Sequence, residues 1–449
     1  MANFLPEPTA CLPVHTLRLC TQGSTKCECC LAIWLAVVLL FGTFASAQAL
    51  QPLSWETIRS RFEASNPTLL AERTNVDEAK AQEITAYLRP NPNFTMTLDG
   101  TQIAPYRGVW QPLAGTFESP AISYLYERRH KRELRLESAK GGTAIERWSY
   151  SDLERGLLFD LRSAFVSTLQ AKAVLQLAKD NLAYYDHVLQ MSRDRFSAGD
   201  ISQVDLDRLE LQRVQYESDV QAADVNLRTA KIQLLRLLDD RTVIDQVDVS
   251  GKYDFTDQLL PRDEYRKIAF DSRPDLKAAI ETANKAETDH KLAIANGSTD
   301  PTFSAWYTHN SSNNNPFGID TLGVSVSLPL RIFDRNQGEK LRTQLDIHRQ
   351  EELRAATEAA VLSDVDSGYE TVRSNLILLR PYKQKYLEQA TRVRDTIFFS
   401  YQHGGASLLD FMNAQSEYRS VQLSYVNLIG SYLIAAAQLN MAVGREVIP

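Results

Sequence analysis

After Cys30 the chain contains no cysteine; Cys11, Cys20, Cys27, Cys29 and Cys30 all lie near its start. That excludes a disulfide framework and a thiolate metal site from everything that follows. Cys27, Cys29 and Cys30 have the spacing of a metal cluster, but they fall inside what reads as a targeting segment. Methionine is scarce, with 5 in 449 residues, which argues against a methionine relay for soft metals. His130, His187, His290, His309, His348 and His403 are scattered and read as surface residues rather than ligands. There is no Ser–His–Asp spacing, no phosphate loop and no metal cluster after residue 47, so no enzymatic reaction and no cofactor are expected. The formal charge is −7, with Lys and Arg dispersed, which excludes nucleic acid as a partner. Nor does any segment after residue 44 look apolar enough for a transmembrane helix. A membrane form of this chain would have to be a β-barrel.

The start has its own logic. Residues 31–44 are apolar, follow Arg18 and Lys26, and precede Ala45-Ser46-Ala47. The run is short for a span and ends in an A-x-A site, so 1–47 reads as a secretory signal cleaved after Ala47. No cysteine follows the run to carry a lipid.

The most informative stretch occurs twice. Tyr401, Gly404, Ser407 and Asp410 repeat the order and spacing of Phe196, Gly199, Ser202 and Asp205. Glycine permits the positive φ that ends one helix. Ser202 and Ser407 then read as N-caps of the next, with Asp205 and Asp410 as capping-box partners. Each copy is therefore the tip of a helical hairpin.

The rest of the chain repeats around these tips. Ser54 caps a short helix that ends at Asn66-Pro67, and a second runs over 68–88. The later copies run from 261 to Arg273-Pro274 and over 275–295. After each comes a strand pair. Phe94, Met96 and Leu98 alternate with threonines, with a return strand over 116–126. Phe303, Ala305 and Tyr307 alternate with Ser304 and Trp306, the loop 311–316 follows, and the return strand spans 322–330. Val324 and Val326 share one face, Ser325 and Ser327 the other. Such alternation fits a small half-buried sheet or a barrel between lipid and water. Helical patterns over 127–195 and 335–401 would each reach on the order of 100 Å. Gly141, Gly142, Gly156, Gly368 and Pro381 predict bends or breaks in them. In the returning helix 202–238, one seven-residue phase holds Val204, Leu211, Val225 and Ile232, and another Leu209, Tyr216, Ala223, Ala230 and Leu237. The two stripes lie roughly 140° apart. That suits the wall of a helical cylinder or an ordinary multi-helix bundle. Four parts follow: signal 1–47, first structural repeat 48–240, linker 241–260, and second structural repeat 261–449.

The two proline elbows, the stretch from Ser327-Leu328-Pro329 through Asp334-Arg335-Asn336-Gln337-Gly338, and the two tips together resemble the outer-membrane efflux protein family, the TolC-like exit ducts. The resemblance covers essentially all of the chain after Ala47. It implies a mainly α fold with a β-barrel portion: long helical hairpins forming a periplasmic α-barrel, and four strands per protomer in one trimeric outer-membrane barrel. It implies a passive exit channel of a tripartite efflux pump. The partners would be two further copies, outer-membrane lipid, a periplasmic adaptor (membrane fusion) protein and an inner-membrane transporter of the RND type. Asp410 matches the acidic entrance position that would form a cation-attracting ring, while Asn413 replaces the second acidic position one turn on. Tyr401 and Asp205 match a pair that latches the closed entrance, and Ala406 replaces the arginine of a second latch. Ala198, Gly199, Gly404 and Gly405 would dock the adaptor. The 332–338 stretch leans towards ducts serving metal-cation pumps. A competing reading is a periplasmic structural or adaptor-like protein of helical hairpins without a channel. Two lipid-length amphipathic strand pairs weigh against it.

Overall fold

The computed structural model describes residues 52–113, 115–310 and 319–448. The signal expected over 1–47, its cysteines and the loop 311–316 lie outside the described residues.

Both proline elbows form, by different chemistry. Ser54 Oγ accepts from the Thr57 N–H to start α1 (Trp55–Ser65). Asn66 ends α1 and caps α2 (Pro67–Tyr87), its Oδ1 accepting from the Thr68 and Leu69 N–H groups at 3.0 and 3.1 Å. Pro67 at the first helical position gives up a donor the helix does not use. In the second repeat, α5 (Arg262–Ser272) meets α6 (Pro274–Asn296) with no side-chain cap. There the buried Arg273 acts as a clamp. It binds Asp275 at 2.5 Å, Asp364 at 2.9 Å and the Ala442 carbonyl at 3.2 Å.

Four strands, β1 (Asn93–Asp99), β2 (Phe117–Leu125), β3 (Thr302–Asn310) and β4 (Asp320–Ser327), form one antiparallel sheet in sequence order. The register pairs Phe303 with Val326, Ala305 with Val324 and Tyr307 with Leu322. It continues through Ile122 opposite Ala305 and Phe94 opposite Ile122. These apolar side chains share one face and are largely exposed. Ser304 pairs with Ser325 on the opposite face. Val324 and Val326 thus stand apart from Ser325 and Ser327, as the alternation predicts. The outer edges of β1 and β4 pair with no other strand among the described residues.

The long helices are more continuous than their glycines suggest. The helix α3 (Lys131–Ala198) runs unbroken for 68 residues, ~100 Å. Gly141 does not break it. A Cβ there would sit 3.2 Å from Lys285 Cβ, so the glycine lets α3 lie close against α6. Gly368 likewise lets α7 (Gln337–Pro381) lie close against the helix carrying Leu439, since a Cβ there would sit 3.3 Å from Leu439 Cα. Gly142 and Gly156 are simply carried along. Pro381 does not break its helix either. Without an N–H it cannot continue the i→i−4 ladder. The chain widens to one π-helical stretch, Tyr382–Tyr386, and resumes as α8 (Leu387–Gln402).

The returning helices are α4 (Gln203–Leu237) and α9 (Leu408–Val443). On α4 the stripe Leu209, Tyr216, Ala223 and Ala230 is buried, while Val204, Leu211, Val225 and Ile232 are exposed. One of the two predicted faces is therefore used within the chain and the other is left open. The sequence reading of the apolar segments needs one correction. By length and composition α9 is apolar enough to cross a membrane, yet more than half of its apolar window is buried inside the protein. Ala435, Ala436, Leu439 and Ala442 pack into a cluster with Val361, Val365 and Val372 of α7. Small residues let these helices approach closely, and the apolar run is core. The 241–260 segment is more than a tether. Its Tyr253 hydroxyl donates to the Val426 carbonyl at 2.8 Å, and Asp248 pairs with Lys172 of α3 at 2.7 Å.

The 332–338 stretch builds the turn from sheet to helix. Asp334 Oδ1 accepts from the Asn336 N–H at 2.8 Å, and Asn336 takes a left-handed conformation with φ 60°. Its Nδ2 donates to the Ala293 carbonyl of α6 at 2.8 Å.

Candidate functional site

The two hairpin tips lie together at the end of the long helices. At the first, Gly199 has φ 85°, and the Asp200 N–H reaches back to the Arg195 carbonyl at 2.9 Å. At the second, Gly404 has φ 75°, and the Gly405 N–H reaches the Ser400 carbonyl at 2.8 Å. Both turns need a residue without Cβ strain at positive φ. Ala198, Gly199, Gly404 and Gly405 are all exposed, so their backbone is open to a partner.

The caps differ. Ser407 and Asp410 form a complete capping box. Ser407 Oγ accepts from the Asp410 N–H at 3.1 Å, and Asp410 Oδ2 accepts from the Ser407 N–H at 3.1 Å. The Ser407 hydroxyl and N–H hold the Asp410 carboxyl below its ordinary value. The group is exposed and stays ionised. Asn413, one turn on, is exposed and neutral. At the first tip only half of the expected box exists. Ser202 Oγ accepts from the Asp205 N–H at 3.1 Å, and the Asp205 carboxylate accepts from the Ser202 hydroxyl at 2.8 Å without returning to the Ser202 N–H.

Tyr401 and Asp205 are brought near one another but not joined by a hydrogen bond. The Tyr401 hydroxyl is buried without a partner. Burial raises its pKa; Arg195 and the adjacent Ser192 hydroxyl oppose the rise, and Asp205 is near enough to add to it. Ser192 on the same side gives its own proton to the Val188 carbonyl at 2.9 Å. The contact that ties the tips is Arg195. Its guanidinium lies 5.2 Å from the centre of the Tyr401 ring, and Nη1 donates to the Tyr401 carbonyl at 3.4 Å. The Tyr401 ring stacks on Phe411 at 5.5 Å and 13°. Tyr185, Leu206, Leu209 and Leu408 complete an apolar cluster beneath both turns. Ala406, where a second latch would stand, packs against it.

Sequence reasoning missed Arg195 and the seam above it. Arg394 is sandwiched between Tyr184 at 5.0 Å and Tyr418 at 4.0 Å, and Arg419 covers Tyr216 at 4.3 Å while pairing with Asp219. The available signal was composition alone, since the spacings differ. Tyr184 and Arg195, like Arg394 and Tyr401, recur on facing helices near the tips. Among the described residues no group of His, Cys, Asp or Glu is arranged to hold a metal ion. What this arrangement can do is electrostatic and mechanical. It presents a fixed carboxylate at the second tip, and a seam of cation–π contacts between the hairpins.

The comparisons with known proteins agree with this geometry. The family model described as outer membrane efflux protein matches residues 266–445. Over 434 residues the chain is 21% identical to the cobalt-zinc-cadmium resistance protein CzcC of Cupriavidus metallidurans, a match covering 92% of this chain and 99% of that protein. The fold is similar to the crystal structure of CusC, with TM-score 0.73 and 16% identity over 89% of this chain and 96% of that one. It is also similar to the outer membrane protein VceC of Vibrio cholerae, with TM-score 0.70 and 15% identity over 87% and 96%. The matched second repeat, a relative aligned end to end and a shared fold point the same way: residues 266–445 match the outer membrane efflux protein family, and the chain as a whole is similar to CzcC in sequence and to CusC and VceC in fold.

Proposed function

We propose that this outer-membrane efflux channel works as a homotrimer and exports divalent metal cations. The observation that carries the assembly is the sheet. Among the described residues it has four strands, two unpaired edges and one apolar face. A closed barrel in lipid needs at least about eight strands, and three copies supply enough. The family as a whole forms trimeric channels and works with adaptors and inner-membrane pumps. For this chain the reading names a periplasmic adaptor, docked at Ala198, Gly199, Gly404 and Gly405, and an RND-type pump behind it. The 48–240 and 261–449 segments act as two structural repeats, each with an elbow, a strand pair and a long hairpin, joined by 241–260. The chain is a conduit and carries out no reaction of its own.

The cargo reading rests on two supports. The end-to-end relative is named for cobalt, zinc and cadmium resistance. The exposed carboxylate of Asp410 stays ionised at the tip. Three copies about an axis would make one negative ring, and Asn413 leaves the second level neutral. Arg195, held between the hairpins against the ring and carbonyl of Tyr401 with Asp205 nearby, would control the closed entrance, without a bond through the Tyr401 hydroxyl.

The test is mass measurement in mild detergent, followed by planar-bilayer recording with zinc chloride. A trimer whose cation preference falls in Asp410→Asn supports the reading. A monomer, or a zinc preference unchanged by that substitution, sinks it.

A further inference from the structure

One side chain on the polar face of the sheet is out of keeping with its neighbours. Thr97, Ser119, Ser304, Thr308, Thr321 and Ser325 give the middle of that face small, hydroxylated side chains. Trp306 shares the face at the centre of β3. Across the sheet it stands opposite Ala121 of β2 on one flank and Gly323 of β4 on the other. A Cβ built on Gly323 would lie 2.3 Å from Trp306 Cε2, 2.4 Å from Cζ2 and 2.7 Å from Nε1. The indole therefore lies across the Gly323 backbone, in the space any other residue would fill. Gly323 is not among the positive-φ glycines, so its backbone does not demand glycine. Glycine weakens a strand interior, and here its return is room for the ring.

We infer that Trp306 sets the bore of the exit barrel at mid-height, and that Gly323 is the recess that keeps its indole flat against the wall. This rests on the trimeric reading above, in which the polar face lines the lumen. Three copies would then place three indoles at one level. Lying flat, they leave the passage open and turn a π-face towards passing cations. A side chain at 323 would lift the ring off the wall. On the other flank Ala121 already carries a Cβ, so the displaced ring has only the lumen to enter.

The experiment is single-channel recording of the assembled full-length protein in planar bilayers. Gly323→Val should lower conductance by about twofold or more, Trp306→Ala should not lower it, and the double variant should return to the wild-type level. An unchanged Gly323→Val channel overturns the inference, as does a drop that persists in the double variant. Should Gly323→Val fail to assemble, Trp306→Cys gives a second readout, since no cysteine follows Cys30. A bulky water-soluble thiol reagent should then block the open channel, and a channel it leaves untouched refutes the placement. Wild-type protein that is monomeric and forms no channel would remove the trimeric duct itself, and this inference with it.

Discussion

The two tips share a sequence pattern and diverge in what holds them. At equivalent positions, Phe196 is 36% exposed and Tyr401 only 8%. The second tip is closed on itself, with a full capping box and Tyr401 stacked on its own Phe411. The first has half a box and depends on Arg195 reaching across to the second. A repeated motif has thus fixed the turn twice while the side chains around it assign different duties. One tip is a preformed post and the other leans on it.

The sharpest way to break that contrast is to remove the post. Phe411 is fully buried, and Phe411→Ala should cost about 3–5 kcal/mol locally and release both tips. Leu206→Ala, at the matching position of the first tip, should cost about 2–3 kcal/mol and loosen only its own. Amide hydrogen exchange at 199–206 and 404–411 would read both, and equal release by both variants would erase the distinction. Next come the caps. Ser407→Ala should cost about 1–2 kcal/mol and Ser202→Ala about half as much, read as fraying of the first turns of α9 and α4. The second tip also has a defined pH dependence. The lowered pKa of Asp410 means its contribution is present above the ordinary Asp value of about 3.9 and is lost only as pH falls below it. Second-tip exchange rates that rise already between pH 6 and 5 would contradict this. A smaller effect, about 0.5–1 kcal/mol of coupling between the tips, is expected from Arg195→Met, with higher resting conductance and partial rescue by Arg195→Lys. The smallest is Tyr401→Phe. Its hydroxyl has no partner to lose, so tip stability and resting conductance should stay within about 0.5 kcal/mol of wild type. A clear rise in conductance would mean that Tyr401 and Asp205 do bond in the assembled channel.

Much of the fold was legible where local chemistry decides. Gly199 and Gly404, Ser202 and Ser407, and the prolines at 67 and 274 act on their own or neighbouring backbone, and each appears where its spacing predicts. The two stripes of α4 were legible too, but not which one the chain would bury, because that depends on how α3 packs against it. The failures are non-local. Gly141 and Gly368 look alike in sequence whether they loosen a helix or admit a neighbour, and only the 3.2 and 3.3 Å approaches decide. Pro381 removes one donor, and the surrounding packing chose a wider turn over a break. At the tips, the charge of Asp410 was readable, whereas the Arg195–Tyr401 contact joins residues 206 positions apart and leaves no periodic trace.

The open edges of β1 and β4 also bear on biogenesis and inheritance. Among the described residues each edge carries a row of backbone N–H and C=O groups that no other strand pairs, costly in hydrocarbon and adhesive in water. A lone chain therefore cannot enter the bilayer and find its partners afterwards. On the trimeric reading, insertion and association become a single event whose rate climbs steeply with the supply of newly exported chains. A copy with a spoiled edge strand would still be recruited through its helices and would ruin the two sound copies beside it. Such an allele should be dominant over the wild type in the same cell, whereas an allele that never folds should be recessive.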